Sequence, residues 1–131
     1  MTTGPTSEFV SRHLQLSREV LDDSKALLEE RRFRSAVDRA YYAIHYSAVA
    51  LLCHSGVRPP RTHSGLVNVF GLELVNRGTI APEFGRILGV ALRSRVQSTY
   101  AADAIITLED AQLAVSAAGR FLPEIDAIIE I

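Results

Sequence analysis

The stretch PEFGRILGVALRSRVQST, Pro82 to Thr99, reads as a single helix, and its inward stripe decides what kind of fold encloses it. Phe84, Ile87, Leu88 and Ala91 share one face at helical spacing, and the next two positions on that face are Arg95 and Ser98. A charge on an inward face is costly unless it is paired or opens onto a cleft. The run from Arg93 to Tyr100 therefore reads as a polar site set inside a bundle of helices.

The neighbouring segments carry the same period. Upstream, Val10, Leu14, Ser17, Leu21, Ser24 and Leu28 alternate steps of four and three, which predicts a first helix from Thr6 or Ser7, as its cap, to about Arg31. The serines on its inward face predict close helix packing. Phe33, Ala36, Val37, Ala40, Ile44, Ala48, Leu51 and Leu52 form the stripe of a second helix, from Phe33 to about Ser55, closed by Gly56 before Pro59 and Pro60. Thr62 or Ser64 is placed to cap a short third helix from Gly65 to Asn76. A fifth begins at Thr107, with Asp110 three residues later in a capping-box arrangement, and Pro123 is expected to kink or restart it. No strand-type alternation is present. The expected fold is all-α: an antiparallel up-and-down bundle of four long helices plus one shorter one, with residues 1–6 as a flexible tail and 7–131 as a single domain.

At 131 residues the chain suits one core, and its longest apolar run is too short to cross a membrane. The single cysteine, Cys53, reads as a small apolar core residue, and its isolation fits a reducing, cytoplasmic setting. The net charge of -1 argues against a generic nucleic-acid binder, but the distribution is uneven. Residues 1–30 sum to −3, residues 31–95 to +7 and residues 96–131 to −5, and thirteen of the fourteen basic residues are arginine. Either the acidic ends pair with the arginine-rich middle, or that middle offers a phosphate-binding surface.

Ser35, Arg39, Tyr42 and Tyr46 share one face of the second helix, a polar, basic and aromatic strip suited to phosphate and to stacked bases. The plain alternative has the tyrosines sealing the bundle edge with their hydroxyls in water. Arg61 and His63 lie just ahead of the third helix. His13, His45 and His54 show no metal-ligand spacing, and no phosphate-cradling glycine loop or nucleophile elbow occurs, so neither metal nor cofactor is indicated.

The segments Arg34 to His45, Thr62 to Gly65 and Arg95 to Tyr100 are similar in order and spacing to the HEPN superfamily, in particular its small stand-alone prokaryotic members. The likeness runs from about Leu14 to Ile128. It implies a homodimer in which two copies of the motif helix meet at a shared cleft. It also implies RNA or nucleotide as ligand, and a toxin–antitoxin pairing with a minimal nucleotidyltransferase, for which Tyr100 is a target of nucleotide transfer. In ribonuclease members an arginine is followed, after four to six intervening residues, by a histidine and often, two residues later, by a tyrosine. Laid on this chain, Arg93 reaches Ser98 and Tyr100, and Arg95 matches the motif arginine of the most similar branch.

The serine departs from that pattern. In a metal-independent cleavage arginine steadies the phosphoryl oxygens and histidine moves the proton, which serine does not do unaided. The candidate site is therefore Arg95, Arg93, Ser98 and Tyr100 for catalysis, with Arg39, Tyr42, Arg61 and His63 for nucleic acid. Three functions remain open on the residues alone. One is an RNA-directed, toxin-like ribonuclease. Another is a non-catalytic dimeric module that binds a nucleotidyltransferase or nucleotide. The third is a structural role in which Arg95 pairs with Asp38 or Glu73 to fix helix register.

Overall fold

A computed structural model describes residues 5–130 as five α-helices with no strand among them. The elements are α1 (Pro5–Glu29), α2 (Phe33–His54), α3 (His63–Phe70), α4 (Pro82–Tyr100) and α5 (Leu108–Glu130), and α3 runs on into a π-helical turn, Gly71–Val75. The all-α reading and the number of helices agree with the periodicity of the sequence.

The organising element is α2. Ala36, Ala40, Ala43, Ala48, Ala50, Leu51 and Leu52 are all fully buried, and the helix packs against α1, α4 and α5. Its alanines allow close approach, and α1 answers with Ser17 and Ser24, buried as their spacing implied. Each of these hydroxyls donates to the carbonyl three residues earlier in its own helix, Ser17 to Leu14 at 2.6 Å and Ser24 to Leu21 at 2.7 Å. Ser47 on α2 does the same to Ile44 at 3.0 Å. A small side chain thus lets two backbones draw together without leaving a polar atom unsatisfied.

The ends of the helices carry the expected chemistry in several places. Gly65 N–H donates to Thr62 Oγ1 at 3.0 Å, so Thr62 caps α3. Thr107 and Asp110 form a reciprocal capping box, at 2.9 and 3.1 Å. Gly56 closes α2 with a positive φ of 82°.

Other ends differ from expectation. Thr6 and Ser7 are not caps, because α1 already starts at Pro5, a residue suited to a first turn; of the tail expected at 1–6, residues 5 and 6 are helical and 1–4 lie outside the described residues. Arg31, with φ 61°, takes the left-handed position that usually goes to glycine, and its guanidinium lies 5.2 Å from the centre of the Phe33 ring. Pro123 does not restart α5, which is continuous through it. The buried Phe121, Leu122 and Ile125 hold the helix on both sides of the proline.

No helix among the described residues is long and apolar enough to cross a membrane. Between α4 and α5 lies an open, largely apolar groove of about 590 Å³, floored by Val37, Ala40, Tyr41 and Ile44 of α2.

Candidate functional site

The inward face of α4 carries its charge where the sequence placed it. Arg95 keeps only 14% of its side chain exposed. Its Nη2 donates to Tyr42 Oη at 3.0 Å, and its guanidinium carbon stands 5.3, 5.7 and 5.8 Å from the centres of the Tyr42, Tyr100 and Tyr41 rings. Three π-faces around one cation replace part of the water it has lost. Among the described residues the only carboxylate paired with it is Asp38, whose Oδ1 lies 3.4 Å from Nε, and Asp38 is shared with Arg39 at 3.0 Å. Glu73, the other acid considered for Arg95, pairs with Arg77 instead. Burial works against the charge on Arg95, but Tyr42, Tyr100 and Asp38 more than offset it, so the group is held cationic.

Arg34 fixes the end of α4 that carries this arginine. It donates through Nη1 to the carbonyl of Ser98, and more weakly to that of Ala101 at 3.5 Å, and through Nη2 to that of Ala104 at 2.6 Å. The last turn of α4 has no basic residue of its own. A cation from α2 therefore satisfies its terminal carbonyls and complements its dipole.

Behind Arg95 lies a cluster that sequence spacing did not reveal. Tyr41 is 1% exposed, so its hydroxyl is not in water at the bundle edge but between two imidazoles, 2.5 Å from His63 Nδ1 and 3.3 Å from His45 Nδ1. The two imidazole rings are 4.9 Å apart. Tyr41 and His45 are one turn apart on α2, a relation visible in the sequence, whereas His63 arrives from the turn capped by Thr62. Gly65 makes that turn feasible, since a Cβ there would stand 2.6 Å from Thr62 Oγ1.

The electrostatics follow from this crowding. Burial, then the neighbouring His63, His13 and Arg95, bring the His45 pKa down to about 4. Burial and the Arg95 charge also lower that of His63. Burial, reinforced by Tyr42 and opposed by Arg95, pushes the Tyr41 hydroxyl above its ordinary value. Near neutral pH the site therefore holds one fixed cation beside two uncharged imidazoles and a neutral phenol.

An aromatic strip extends from this centre along α2. Tyr42 lies 5.7 Å from Tyr46, Tyr46 6.1 Å from His13, and His13 stacks on Phe9 at 4.0 Å, while the Arg39 guanidinium covers Tyr42 at 5.1 Å.

The structure thus brings together Arg95, Tyr100, Tyr42, Arg39 and His63. It does not bring in the other three. Ser98 is fully buried, with its hydroxyl donating to the carbonyl of Arg95 at 3.0 Å. Arg93 is exposed, two residues from Arg95 and hence on the other side of α4. Arg61 is exposed in the loop before α3 and makes no ion pair among the described residues.

Nor do the acidic ends neutralise the arginine-rich middle. Among the described residues only Glu83–Arg120, at 3.0 Å, joins that middle to an end segment beyond a chain neighbour, while Arg18–Asp126, at 3.3 Å, joins the two ends to each other. Arg31, Arg34, Arg58, Arg61, Arg86 and Arg93 pair with no acid there.

Residues 10–128 match the HEPN domain. The chain is 36% identical over 118 residues to a "Putative toxin" of Methanocaldococcus jannaschii, covering 90% of this chain and 87% of that one. It is 34% identical over 114 residues to a UPF0332 protein of Thermotoga maritima, covering 87% and 86%. A UPF0332 protein of Pyrococcus horikoshii is 38% identical over 81 residues, 62% of this chain and 56% of its own length.

Proposed function

The chain belongs to the HEPN family, and from that premise we propose that it is an RNA-directed, toxin-like protein that cleaves RNA without a metal ion through its arginine–tyrosine cleft. The observation that carries this reading is the state of Arg95. It is a desolvated cation held mainly by aromatic faces and a phenol, with a single long contact to a carboxylate that another arginine shares. A phosphate oxygen arriving there gains a charge-assisted hydrogen bond at little cost in breaking an existing pair. The strip from Tyr42 to Phe9 offers stacking surfaces for the adjoining bases, and Arg39 a second contact to the backbone.

Two protein partners belong to the same proposal. A second copy, meeting the first along α4, would set two Arg95 cations at one cleft. The exposed Val90, Val96 and Ile105, on α4 and the loop after it, support such a face. A minimal nucleotidyltransferase is the proposed antitoxin. Tyr100, 70% exposed at the end of α4, supports a reaction in which its oxygen bonds the α-phosphorus of a nucleoside triphosphate as pyrophosphate leaves.

Incubation of the purified protein with RNA and excess chelator tests the reading. Wild type should cleave and Arg95→Gln should not, with superimposable unfolding curves; cleavage retained in the variant would overturn the assignment. Burial of Ser98 favours a second reading, in which the cleft binds RNA or nucleotide without cutting it. That reading predicts salt-sensitive binding by wild type in the same samples with no product.

A further inference from the structure

We propose that His63 is the proton-accepting group of the cleft, with Tyr41 as the positioning residue that presents its unprotonated Nε2 to the visitor. This inference rests on the ribonuclease reading above and supplies the base that Ser98, buried and bonded to its own helix, does not provide.

The hydrogen bonds of Tyr41 leave two arrangements of the protons. Tyr41 Oη contacts both Nδ1 atoms, at 2.5 Å for His63 and 3.3 Å for His45, and a phenol has one proton to donate. If Tyr41 donates to His45, then His63 must donate its Nδ1–H to Tyr41, and its Nε2 carries a free lone pair. If Tyr41 donates to His63 instead, Nε2 carries the proton. The proposal takes the first arrangement, with which three features are consistent. His45 is a neutral acceptor at physiological pH, its pKa being brought down to about 4 mainly by burial. Tyr41 does not ionise in that range. An imidazolium formed by proton uptake at Nε2 keeps its Nδ1–H bond to Tyr41 unchanged, as in other sites where a hydrogen-bonded partner orients a catalytic histidine.

The titratable and charged groups facing His63 are Tyr41, Tyr42 and His45 from α2, at ring separations of 5.5, 6.0 and 4.9 Å, and Arg95 from α4, close enough to lower its pKa. A base and a phosphate-binding cation therefore share one cleft. The step balances without a co-reactant. The 2'-oxygen of RNA bonds to the adjacent phosphorus as the bond from phosphorus to the 5'-oxygen breaks. The 2'-hydroxyl proton passes to His63 Nε2 and returns through water to the departing 5'-oxygen, leaving a cyclic phosphate and a free 5'-hydroxyl.

Cleavage and binding of one single-stranded RNA, measured together in chelator, test the proposal on wild type, His63→Ala, His63→Asn and Tyr41→Phe. Both His63 variants should lose about 10²- to 10⁴-fold in cleavage while binding stays within a few fold, and added imidazole should restore part of the rate to His63→Ala. Tyr41→Phe should lower kcat with KM little changed. Long-range ¹⁵N–¹H spectra should show its His63 moving from the Nδ1–H to the Nε2–H form, a change that loss of packing alone would not cause. Wild-type cleavage should rise with pH through the depressed titration of His63 and level off by neutrality. Cleavage by His63→Ala near the wild-type rate, or an Nε2–H tautomer in wild type, would overturn this role while leaving the arginine cleft intact. No cleavage by wild type would overturn both.

Discussion

The two sides of α2 solve the problem of buried polarity in opposite ways. Toward α1, every buried hydroxyl turns back on its own helix: Ser17, Ser24 and Ser47 each satisfy themselves three residues away. Toward α3 and α4, Ser98 does the same, but the larger polar groups are satisfied chiefly by partners from other elements. Tyr41 meets His63, Tyr42 meets Arg95, and Arg34 meets the end of α4. The first arrangement is closed, indifferent to pH and suited to packing. The second depends on several elements keeping their places, and it concentrates neutral imidazoles around a cation. Function is expected on the second side because only there is binding capacity left over after the fold is satisfied.

Acid should separate the two sides most strongly. His45 has its pKa lowered from 6.5 to about 4, so the unfolded chain binds more protons than the folded one between those values. Stability is then full above about pH 6.5 and falls as pH drops toward 4, by on the order of 3 kcal/mol for this group alone. Chemical denaturation from pH 7.5 to 4 should show that loss, and His45→Asn should flatten its share of the slope. A wild-type profile no steeper than that of the variant would break the distinction.

Removing the brace at the end of α4 should have the next largest effect. Arg34→Ala leaves carbonyls at 98, 101 and 104 without their charged donor, at a cost of about 2 kcal/mol. Amide exchange should quicken in the last turn of α4, before α1 is affected. Gly65→Ala sets a Cβ against Thr62 Oγ1 and should cost about 1 kcal/mol through loss of the α3 cap. It should also shift the His63 ring resonances, because that turn carries the imidazole. The smallest change belongs to the closed side: Ser24→Ala removes a hydroxyl and its local bond together, so unfolding should move by less than about 1 kcal/mol and RNA binding not at all. A larger effect of Ser24→Ala than of Arg34→Ala would reverse the comparison.

What the sequence disclosed divides along the same line. The five helices, the inward serines of α1, the capping box at Thr107 and the inward position of Arg95 are periodic or local features, and all are legible at separations of three or four residues. The family resemblance named on these segments agrees with the HEPN match over residues 10–128. The α4 brace was not legible, because Arg34 precedes the carbonyls it caps by 64 to 70 residues. Nor was the pairing of His45 with His63, for which a loop rather than a helical period supplies the approach. Arg31 in a left-handed turn and Pro123 in an unbroken helix go against local preference, and in both cases neighbouring packing prevails. Arg93 entered the candidate site by motif spacing although two residues of helix put it on the other side of α4 from Arg95, whereas Ser98 is inward as its spacing implied but is spent on its own helix.

The central claim is that the Arg95 guanidinium is held ready for an anion rather than used up by Asp38. Fluorescence anisotropy with a short single-stranded RNA, at salt concentrations from about 50 to 200 mM, compares wild type with Arg95→Gln most directly. The account predicts weaker binding by the variant, a salt slope shallower by about one contact per site, and little loss of stability. Unchanged RNA affinity together with a loss of about 3–5 kcal/mol on unfolding would instead make Arg95 a structural partner of Asp38 and contradict the account.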